Sequence, residues 1–368
     1  MIFLITCSQK KGSKQEEKIV DGVRVIHNYK VSEEDSFRHI SFSDELVIGV
    51  EEGDENYMFG TPVDIDADSR GNIYVLDRLE CAIKVFDPEG RFIRSIGRMG
   101  QGPGEFERPS RVFIDPTDRI IVIDPYRLQI VFFDPPDIFK KSLRMEGYLN
   151  GVALSGDGTV FVEYTKSTES GGQILISSLR GDGEIKDTVF SQDQYWPARI
   201  SSDDFTYDFP YLVRWNLDSQ GKLLVGTGIL YEIQAFSHDG VLLYKFDLDS
   251  DPVNVSGKEY LKIKDNLKPE RGANPYMENP VFPVFWNIDI DEEDRIWVEH
   301  YYPRWGETRE EKVFDVFSND GKFLFSTSIP GHVFPRLKFK NGFIYVLRLT
   351  DSGYIKAVRM SMKEQTQR

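Results

Sequence analysis

The fold is decided by the stretch IGRMGQGPGEFERP, residues 96–109, which lies between two strand-like segments. An earlier stretch, residues 48–62, has the same order of features: Ile-Gly, a glycine-containing loop, an aromatic residue and a proline. The aromatic residue and the proline are Phe59 and Pro62 in the earlier copy, and Phe106 and Pro109 in the later one. Two copies of this arrangement indicate an internal repeat, which has to be traced before any other feature is interpreted.

Each proline is followed by an apolar strand, a tight polar turn and a second strand, as in GNIYVLD (71–77). This unit recurs as DSRGNIYVLD (68–77), DPTDRIIVID (115–124), SGDGTVFVEY (155–164), DSQGKLLVGT (218–227), DEEDRIWVEH (291–300) and KNGFIYVLR (340–348). Four of the units continue into a third strand that ends at a glycine turn. Four short strands in each unit, spaced by roughly 40 to 55 residues, are typical of a β-propeller. The sequence therefore predicts an all-β, six-bladed propeller with four-stranded antiparallel blades.

The composition agrees with this fold and excludes several functions. With 26 Phe and 17 Tyr but seven Ala, the chain is rich in strand formers and poor in the best helix former, so an all-helical protein is excluded. No apolar run approaches the ~20 residues that a membrane span needs. The 60 acidic and 45 basic side chains give a net charge of −15, which argues against nucleic acid as a partner. Cys7 and Cys81 cannot form a disulfide framework.

The stretches IGRMGQGPGEFERP and GNIYVLD resemble the NHL type of six-bladed propeller, particularly its exported and often lipid-anchored bacterial versions. The resemblance covers about residues 40 to 361, and the later blades match in pattern alone. It implies the fold, but it implies no activity.

Ring closure is also predicted. Blade six has three strand segments after Pro335 before the chain ends, so its fourth strand has to come from elsewhere. Leu46–Gly49 occupies the position in its repeat that an outer strand should have, and pairing it with blade six would leave no open sheet edge. The predicted organisation is a truncated signal and flexible tether (1–18), an N-terminal extension (19–39), the propeller (40–361) and a polar tail (362–368).

The first residues suggest export. An apolar stretch from Ile2 to Ile5 precedes Thr6 and Cys7, and a charged segment follows through Lys18, as in a lipobox with its tether. Acylation of Cys7 would attach the protein to a membrane by its lipid alone. The apolar stretch is short and has no basic residues before it, so a start upstream of Met1 and a disordered soluble N-terminus remain alternatives.

Two insertions and one long loop interrupt the repeats. Residues 190–210 and 248–283 lie between blades, and the second predicts a short helix from the capping box of Ser256 and Glu259. The loop 299–312 lies within blade five and should open on the same side of the ring. Aromatic side chains on these segments suit stacking on sugars or gripping extended peptides, although they could merely cap the blade cores. They are Tyr195, Trp196, Phe205, Tyr207, Phe209, Tyr276, Tyr301, Tyr302 and Trp305.

The inner strands place a cationic group at the axis. When the six units are aligned on their tight turns, each unit has one inner-strand residue at an equivalent position relative to its turn, near the funnel mouth. Its residues are Asp64, Arg111, Gly151, Arg214, Asn287 and Arg336. Arginines from blades two, four and six thus alternate around the ring, and guanidinium groups suit capture of a carboxylate, sulfate or phosphate. The alternative is that each arginine pairs with Asp64, Asp66 or Asp289 of a neighbouring blade and only seals the channel.

Enzymatic alternatives come from related-looking propellers. The resemblance to gluconolactonase-type propellers implies an axial divalent cation, and that to peptide-amidating lyases implies a histidine-bound zinc. No histidine falls on the inner-strand position here, and His300 beside Glu299 is the one candidate, in a loop where a surface role is usual. Asp64, Asp66, Asn287 and Asp289 supply oxygen donors that Ca²⁺ accepts, but three arginines in the same funnel would repel a cation.

The sequence thus favours a non-catalytic, monomeric binding protein of the bacterial cell envelope with no cofactor. Its expected partner is an anionic small molecule, a glycan, a peptide or an envelope protein, bound at the funnel face by Arg111, Arg214, Arg336, Asp64 and Asn287 together with the rim aromatics. The alternatives are a divalent-cation-dependent lactonase, hydrolase or lyase, with Ca²⁺ as the possible metal, and an assembly scaffold.

Overall fold

In the computed structural model, the described residues are 15–29, 37–38, 40–145, 147–168, 171–180, 184–194, 199–202, 205–208, 213–226, 230–249, 284–301 and 311–364; for 171, 194, 199–202, 205–208 and 364 only the backbone is described. They form six blades of four antiparallel strands each, so the predicted fold class is confirmed. No helix of membrane-spanning length and hydrophobicity occurs in this described part.

The strands follow the predicted repeat. Blade one comprises β4 (Pro62–Ala67), β5 (Ile73–Asp77), β6 (Ala82–Phe86) and β7 (Phe92–Ile96). Blade two comprises β8 (Arg111–Ile114), β9 (Ile120–Asp124), β10 (Gln129–Asp134) and β11 (Ile138–Arg144). Blade three comprises β12 (Tyr148–Leu154), β13 (Val160–Thr168), β14 (Gly171–Leu179) and β15 (Ile185–Gln194). A hairpin, β16 (Arg199–Ser202) and β17 (Phe205–Asp208), follows.

The second half of the ring is built in the same way. Blade four contains β18 (Arg214–Leu217), β19 (Leu223–Gly226), β20 (Glu232–Phe236) and β21 (Leu242–Leu248). Blade five contains β22 (Phe285–Ile290), β23 (Ile296–His300), β24 (Glu311–Phe317) and β25 (Phe323–Pro330). Blade six contains β26 (His332–Lys340), β27 (Phe343–Leu349) and β28 (Ile355–Glu364). Three strands precede blade one: β1 (Gln15–Val20), β2 (Val23–Asn28) and β3 (Ile40–Ile48).

Six hydrophobic clusters hold the ring together, and each is shared by two neighbouring blades. The aromatic residue of the repeated stretch lies in such a cluster: Phe106 is fully buried, with its ring 6.0 Å from that of Phe133. Gly97 makes this possible, because a Cβ atom there would lie 2.2 Å from the Phe106 ring and its φ is +83°. The glycine of Ile-Gly and the aromatic residue are thus the part of the repeat that packs one blade on the next.

Aspartates fix the loops around each blade. In the tight turn after β4, Asp68 accepts the N–H groups of Arg70 and Asn72. At the end of β5, Asp77 accepts the N–H groups of Gly60 and Thr61 in the segment that enters the blade. Blade two uses Asp115 and Asp124 in the same way, which explains the recurring Asp at both ends of the sequence unit.

The ring closes as the sequence predicts. Strand β3 pairs antiparallel with β28, with Ile48 opposite Ala357 and Ile40 opposite Glu364, so it is the outer strand of blade six. Ile48 is buried in the cluster shared by blades six and one. The strand begins at Ile40, well before the predicted Leu46, and β28 continues past residue 361, where the polar tail was expected to start.

The N-terminal segment contains a hairpin that the sequence did not predict. Strand β1 begins inside the expected tether, and β2 pairs in parallel with β21, which extends blade four to six strands. Asn28 is fully buried at this junction, where it donates to Asp247 O and Gly321 O and accepts from Phe323 N. The helix predicted around Ser256 and Glu259 lies outside the described residues.

We expect the packing of β3 to dominate ring stability. Replacing Ile48, which is 3% exposed, by alanine should lower the free energy of unfolding by about 3 kcal/mol, because it leaves a cavity in the closing interface. Val47→Ala is the matched control, since Val47 is 47% exposed on the other face of the same strand and should cost well under half as much. Urea unfolding measures both, and equal losses would contradict the closing role of Ile48.

Candidate functional site

The inner strands of the blades enclose a funnel of about 840 Å³ at the axis. Thr61 lies in the connection that enters blade one, and Arg78 and Pro125 lie in loops between second and third strands. Because all three residues line the cavity, it opens on this side of the ring. Bulges precede the funnel position in blades one, three and five, where Asp64, Gly151 and Asn287 follow a register shift. Such bulges change the direction of the side chain that follows them.

The predicted arginines meet in this funnel. Arg111, Arg214 and Arg336 all line the cavity, and they come from the inner strands of blades two, four and six. Burial, together with the charge of Arg336, lowers the pKa of Arg214 to about 10. Burial, together with Arg111, also lowers the pKa of Arg336. The three guanidinium groups are therefore close enough to repel one another, and at neutral pH they remain charged.

The arginines have weak partners among the described residues. The nearest carboxylate contact joins Arg111 Nη1 to Asp64 Oδ1 at 3.9 Å, and this Nη1 atom is buried without a hydrogen-bond acceptor. Arg214 stacks its guanidinium on the Trp286 ring, 4.6 Å from the centroid. Arg336 donates a long hydrogen bond of 3.4 Å to the Trp215 carbonyl oxygen. Part of the hydrogen-bonding capacity of the three groups is thus unused.

The inner aspartates mainly hold neighbouring backbones. Asp64 and Asp66 of blade one accept the N–H groups of Val112 and Ile114 in blade two, at 3.0 and 2.8 Å. Asp289 of blade five accepts the Leu337 N–H of blade six at 3.2 Å. These carboxylates therefore join adjacent inner strands. Among the described residues, the one ion pair within 4 Å between them and the three arginines is the long contact of Arg111 with Asp64, although Asp289 and Asp64 also favour the charged form of Arg336.

Asn287 takes the same supporting role. It is buried and donates to Asp289 Oδ1 at 3.2 Å. In the part of the chain that the structure describes, no three His, Cys, Asp or Glu side chains are grouped so that they could hold a metal ion.

Glu163 belongs to the site and was missed by the sequence analysis. It faces the cavity from β13, directly opposite Gly151 in the strand register, and accepts the indole N–H of Trp215 at 2.6 Å. Burial raises its pKa, while Trp215, Arg214 and Arg336 act in the opposite direction. A signal was present in the sequence, because the second strands of units three and five both carry Val-Glu, at Glu163 and Glu299.

Acids of the odd blades occupy positions related to those of the arginines, and Glu163 is the one of these acids that lines the described cavity wall. Glu299 is opposite Asn287 in blade five, as Glu163 is opposite Gly151 in blade three, and it pairs with Lys312 Nζ at 2.5 Å. With Asp64 in blade one, the odd blades supply the acids and the even blades the arginines. Asp64 has backbone partners and Glu299 has a lysine, whereas Glu163 has an uncharged indole as its hydrogen-bond donor. The sequence analysis had offered Asp64 as a counter-ion of the arginines, but it did not assign that role to Glu163 or Glu299.

The predicted rim aromatics can be located only in part. Tyr301 lies beside the funnel, with its ring 5.6 Å from that of Trp286, which in turn covers Arg214. Trp196, Tyr302 and Trp305 lie outside the described residues, as does Cys7. Trp286, which the sequence analysis did not single out, is the aromatic residue that contacts the arginine group.

His300 does not behave as a solvated loop residue. Its Nε2 lies 2.7 Å from Asp315 Oδ2, and the buried Asp315 also accepts hydrogen bonds from Tyr231 and Ser326. Burial alone would raise the pKa of Asp315, but the hydrogen bonds from His300, Ser326 and Tyr231 keep it below its ordinary value. This network joins blades four and five.

Comparison with known proteins agrees with the fold. A family model described as a 6-bladed beta-propeller matches residues 8–210. A Bacteroides fragilis protein described as one expected to be exported is 12% identical, with a TM-score of 0.56 over 92% of this chain and 100% of that chain. A member of the DUF4221 family from Bacteroides vulgatus is 13% identical, with a TM-score of 0.50 over 89% and 99%. These similarities show the fold alone, and none of the curated proteins matches the sequence.

The Asp315 network should make stability depend on pH. Because the pKa of Asp315 is lowered in the folded state, its contribution is present above about pH 4 and is lost as the pH falls through the folded value. Asp315→Asn should therefore cost about 3 kcal/mol of unfolding free energy at pH 7 and much less at pH 3. Urea unfolding at both pH values tests this, with Asp187→Asn on the exposed surface as control. An equal loss at both pH values would contradict the assignment.

Proposed function

This chain belongs to the 6-bladed beta-propeller family DUF5128, and we propose that it is a non-catalytic binding protein of the cell envelope whose funnel takes an anionic ligand. A propeller by itself implies no activity, so the proposal rests on the funnel. The observation that carries it is the meeting of Arg111, Arg214 and Arg336 in one open cavity with few acceptors.

Burial of three like charges needs a compensating interaction. Burial and the charge of a neighbouring arginine lower the pKa of Arg214 and of Arg336, so these groups are held in the funnel at an electrostatic cost. An anion that accepts from two or three of the groups would remove part of this cost through charge-assisted hydrogen bonds. A net charge of −15 over the whole chain makes such a local concentration of positive charge more notable.

The dimensions and lining of the funnel suit a small or extended ligand. Its volume of about 840 Å³ is in the range of pockets that bind small molecules. The walls combine apolar residues such as Phe113 and Val213 with the polar side chains of Ser110, Asn150 and Thr165. An acidic sugar unit or a peptide carboxylate would find both apolar contact and hydrogen-bond partners there. We therefore favour these ligand classes over a simple inorganic anion.

Removing the arginine charge should weaken binding of anions. We expect Arg111→Gln, Arg214→Gln and Arg336→Gln each to reduce affinity for glucuronate or sulfate by about tenfold or more, because a hydrogen bond between charged groups is lost. Calorimetry at low salt measures the affinity, and circular dichroism confirms that each variant folds. Arg70→Gln, at the opposite end of the inner strand of blade one, is the control and should bind like the wild type.

The same measurements separate the alternatives. Unchanged binding of partners by the triple arginine variant would contradict the proposal and favour an assembly scaffold. About one tightly held Ca²⁺ or Zn²⁺ in each purified chain would instead favour a cation-dependent lactonase, hydrolase or lyase in the same funnel.

The lipobox-like N-terminus supports attachment to a membrane through a lipid on Cys7. We expect the protein, expressed in a bacterium with a complete signal sequence ahead of residue 1, to fractionate with membranes, and Cys7→Ser to shift it to the soluble envelope fraction. Cys81→Ser is the control, because Cys81 is buried within the propeller. Equal fractionation of the wild type and Cys7→Ser would contradict acylation.

A further inference from the structure

One acid lines the funnel among five basic side chains. Within the described residues that form the cavity wall, Glu163 is the single carboxylate, and the basic residues there are Arg78, Arg111, Arg214, Arg336 and Lys338. An anion entering the funnel would therefore share the cavity with one carboxyl group. Its position relative to the arginines decides whether the two negative groups compete.

The Glu163 side chain is held in place by a close-packed contact. Its Oε2 atom accepts the Trp215 indole N–H at 2.6 Å. A Cβ atom at Gly151 would lie 3.1 Å from that oxygen and 3.4 Å from the indole nitrogen, so only glycine leaves ordinary space for the bond. At the strand position where the even blades carry arginine, blade three therefore has a glycine without a side chain. The Glu163 side chain occupies this space from the adjacent strand.

The charged groups that act on Glu163 come from two other blades. Arg214 on β18 and Arg336 on β26 both favour its ionised form. The strands on either side contribute uncharged neighbours, Gly151 and Asn150 from β12 and Ile176 from β14. Arg111 on β8 acts on the same two arginines. Arg214 and Arg336 are therefore shared between Glu163 and any ligand bound beside them.

We propose that Glu163 is the internal counter-ion of the funnel, and that binding of an anion is coupled to uptake of a proton by this carboxylate. The inference rests on the proposed function, since it concerns the same arginines. An anion beside Arg214 and Arg336 places a like charge near Glu163 and takes over the arginines that kept it ionised. Both changes favour the protonated acid. The proton comes from the solvent, and no bond other than the O–H bond is formed.

Two properties follow from this coupling. By linkage, an anion that favours protonation of Glu163 must bind more tightly where Glu163 is already protonated, so affinity rises as the pH falls. The carboxylate repels a doubly charged ligand about twice as strongly as a singly charged one. Glu163 thereby reduces the preference for doubly charged anions that the five basic side chains of the cavity wall create. Glu299, at the equivalent position of blade five, is bonded to Lys312 and is not expected to act in this way.

The test uses probes that do not themselves titrate. Methanesulfonate and sulfate keep charges of about −1 and −2 between pH 5.5 and 8 and are titrated into the full-length protein by calorimetry. Measurement in buffers with different ionisation enthalpies gives the number of protons taken up. For the wild type we expect uptake of up to one proton per anion and about tenfold tighter binding at pH 5.5 than at pH 8.

Glu163→Gln is the matched variant, because the amide oxygen still accepts the Trp215 N–H. It should bind more tightly than the wild type at pH 8, with the larger gain for sulfate, and should lose the proton uptake. Glu232→Gln removes a carboxylate that pairs with Lys245 in blade four and should match the wild type. Proton uptake by the wild type is measured without any variant, so a folding defect of Glu163→Gln would not prevent the test.

The outcomes separate this inference from the function on which it rests. Two results would overturn the role of Glu163 and leave the anion site intact. One is anion binding that needs the three arginines but takes up no proton. The other is anion binding whose pH dependence is the same in Glu163→Gln as in the wild type. If glucuronate binds but neither methanesulfonate nor sulfate does at either pH, the coupling fails and the proposed function stands; if glucuronate also fails to bind the wild type, both fail together. An equal gain in affinity for sulfate and for methanesulfonate in Glu163→Gln at pH 8 would contradict the predicted effect of Glu163 on charge selectivity.

Discussion

The structure depends on the burial of both faces of every blade. A four-stranded sheet that is apolar on both sides cannot stand alone in water, and here each blade packs one face on the preceding blade and the other on the next. This requirement can be met for all six blades only if the last packs on the first. Strand β3 supplies the outer strand of blade six, so the ends of the chain are joined by backbone hydrogen bonds and by shared apolar packing.

Closure fixes the inner strands, and the inner strands fix the funnel. Asp64, Asp66 and Asp289 each accept a backbone N–H from the next blade, so the spacing of these strands is set by hydrogen bonds as well as by packing. Side chains at the mouth then have little freedom of position. The three arginines converge because the inner strands repeat the same register around the axis. They can alternate around the whole ring because the number of blades is even.

The electrostatics of the funnel are more balanced than an all-cationic site. The acids come from the odd blades and the arginines from the even blades, but Glu163 alone of the three acids lines the described cavity wall. The acids also differ in their partners: backbone for Asp64, a lysine for Glu299 and an indole for Glu163. A site with unused guanidinium donors and one carboxylate whose hydrogen-bond donor is uncharged can respond both to an anion and to a proton. This combination gives the funnel a chemical character that a plain cluster of arginines would lack.

The sequence by itself determined the blade number, the strand order, the closing strand and the convergence of Arg111, Arg214 and Arg336, because these follow from a repeat and from strand periodicity. It did not reveal the hairpin of β1 and β2, whose parallel pairing with β21 joins segments more than two hundred residues apart. Nor did it reveal the partners of the arginines. Trp286, Trp215 and Glu163 come together across blade boundaries, and only the packed ring decided which neighbouring strands meet and which charges they share.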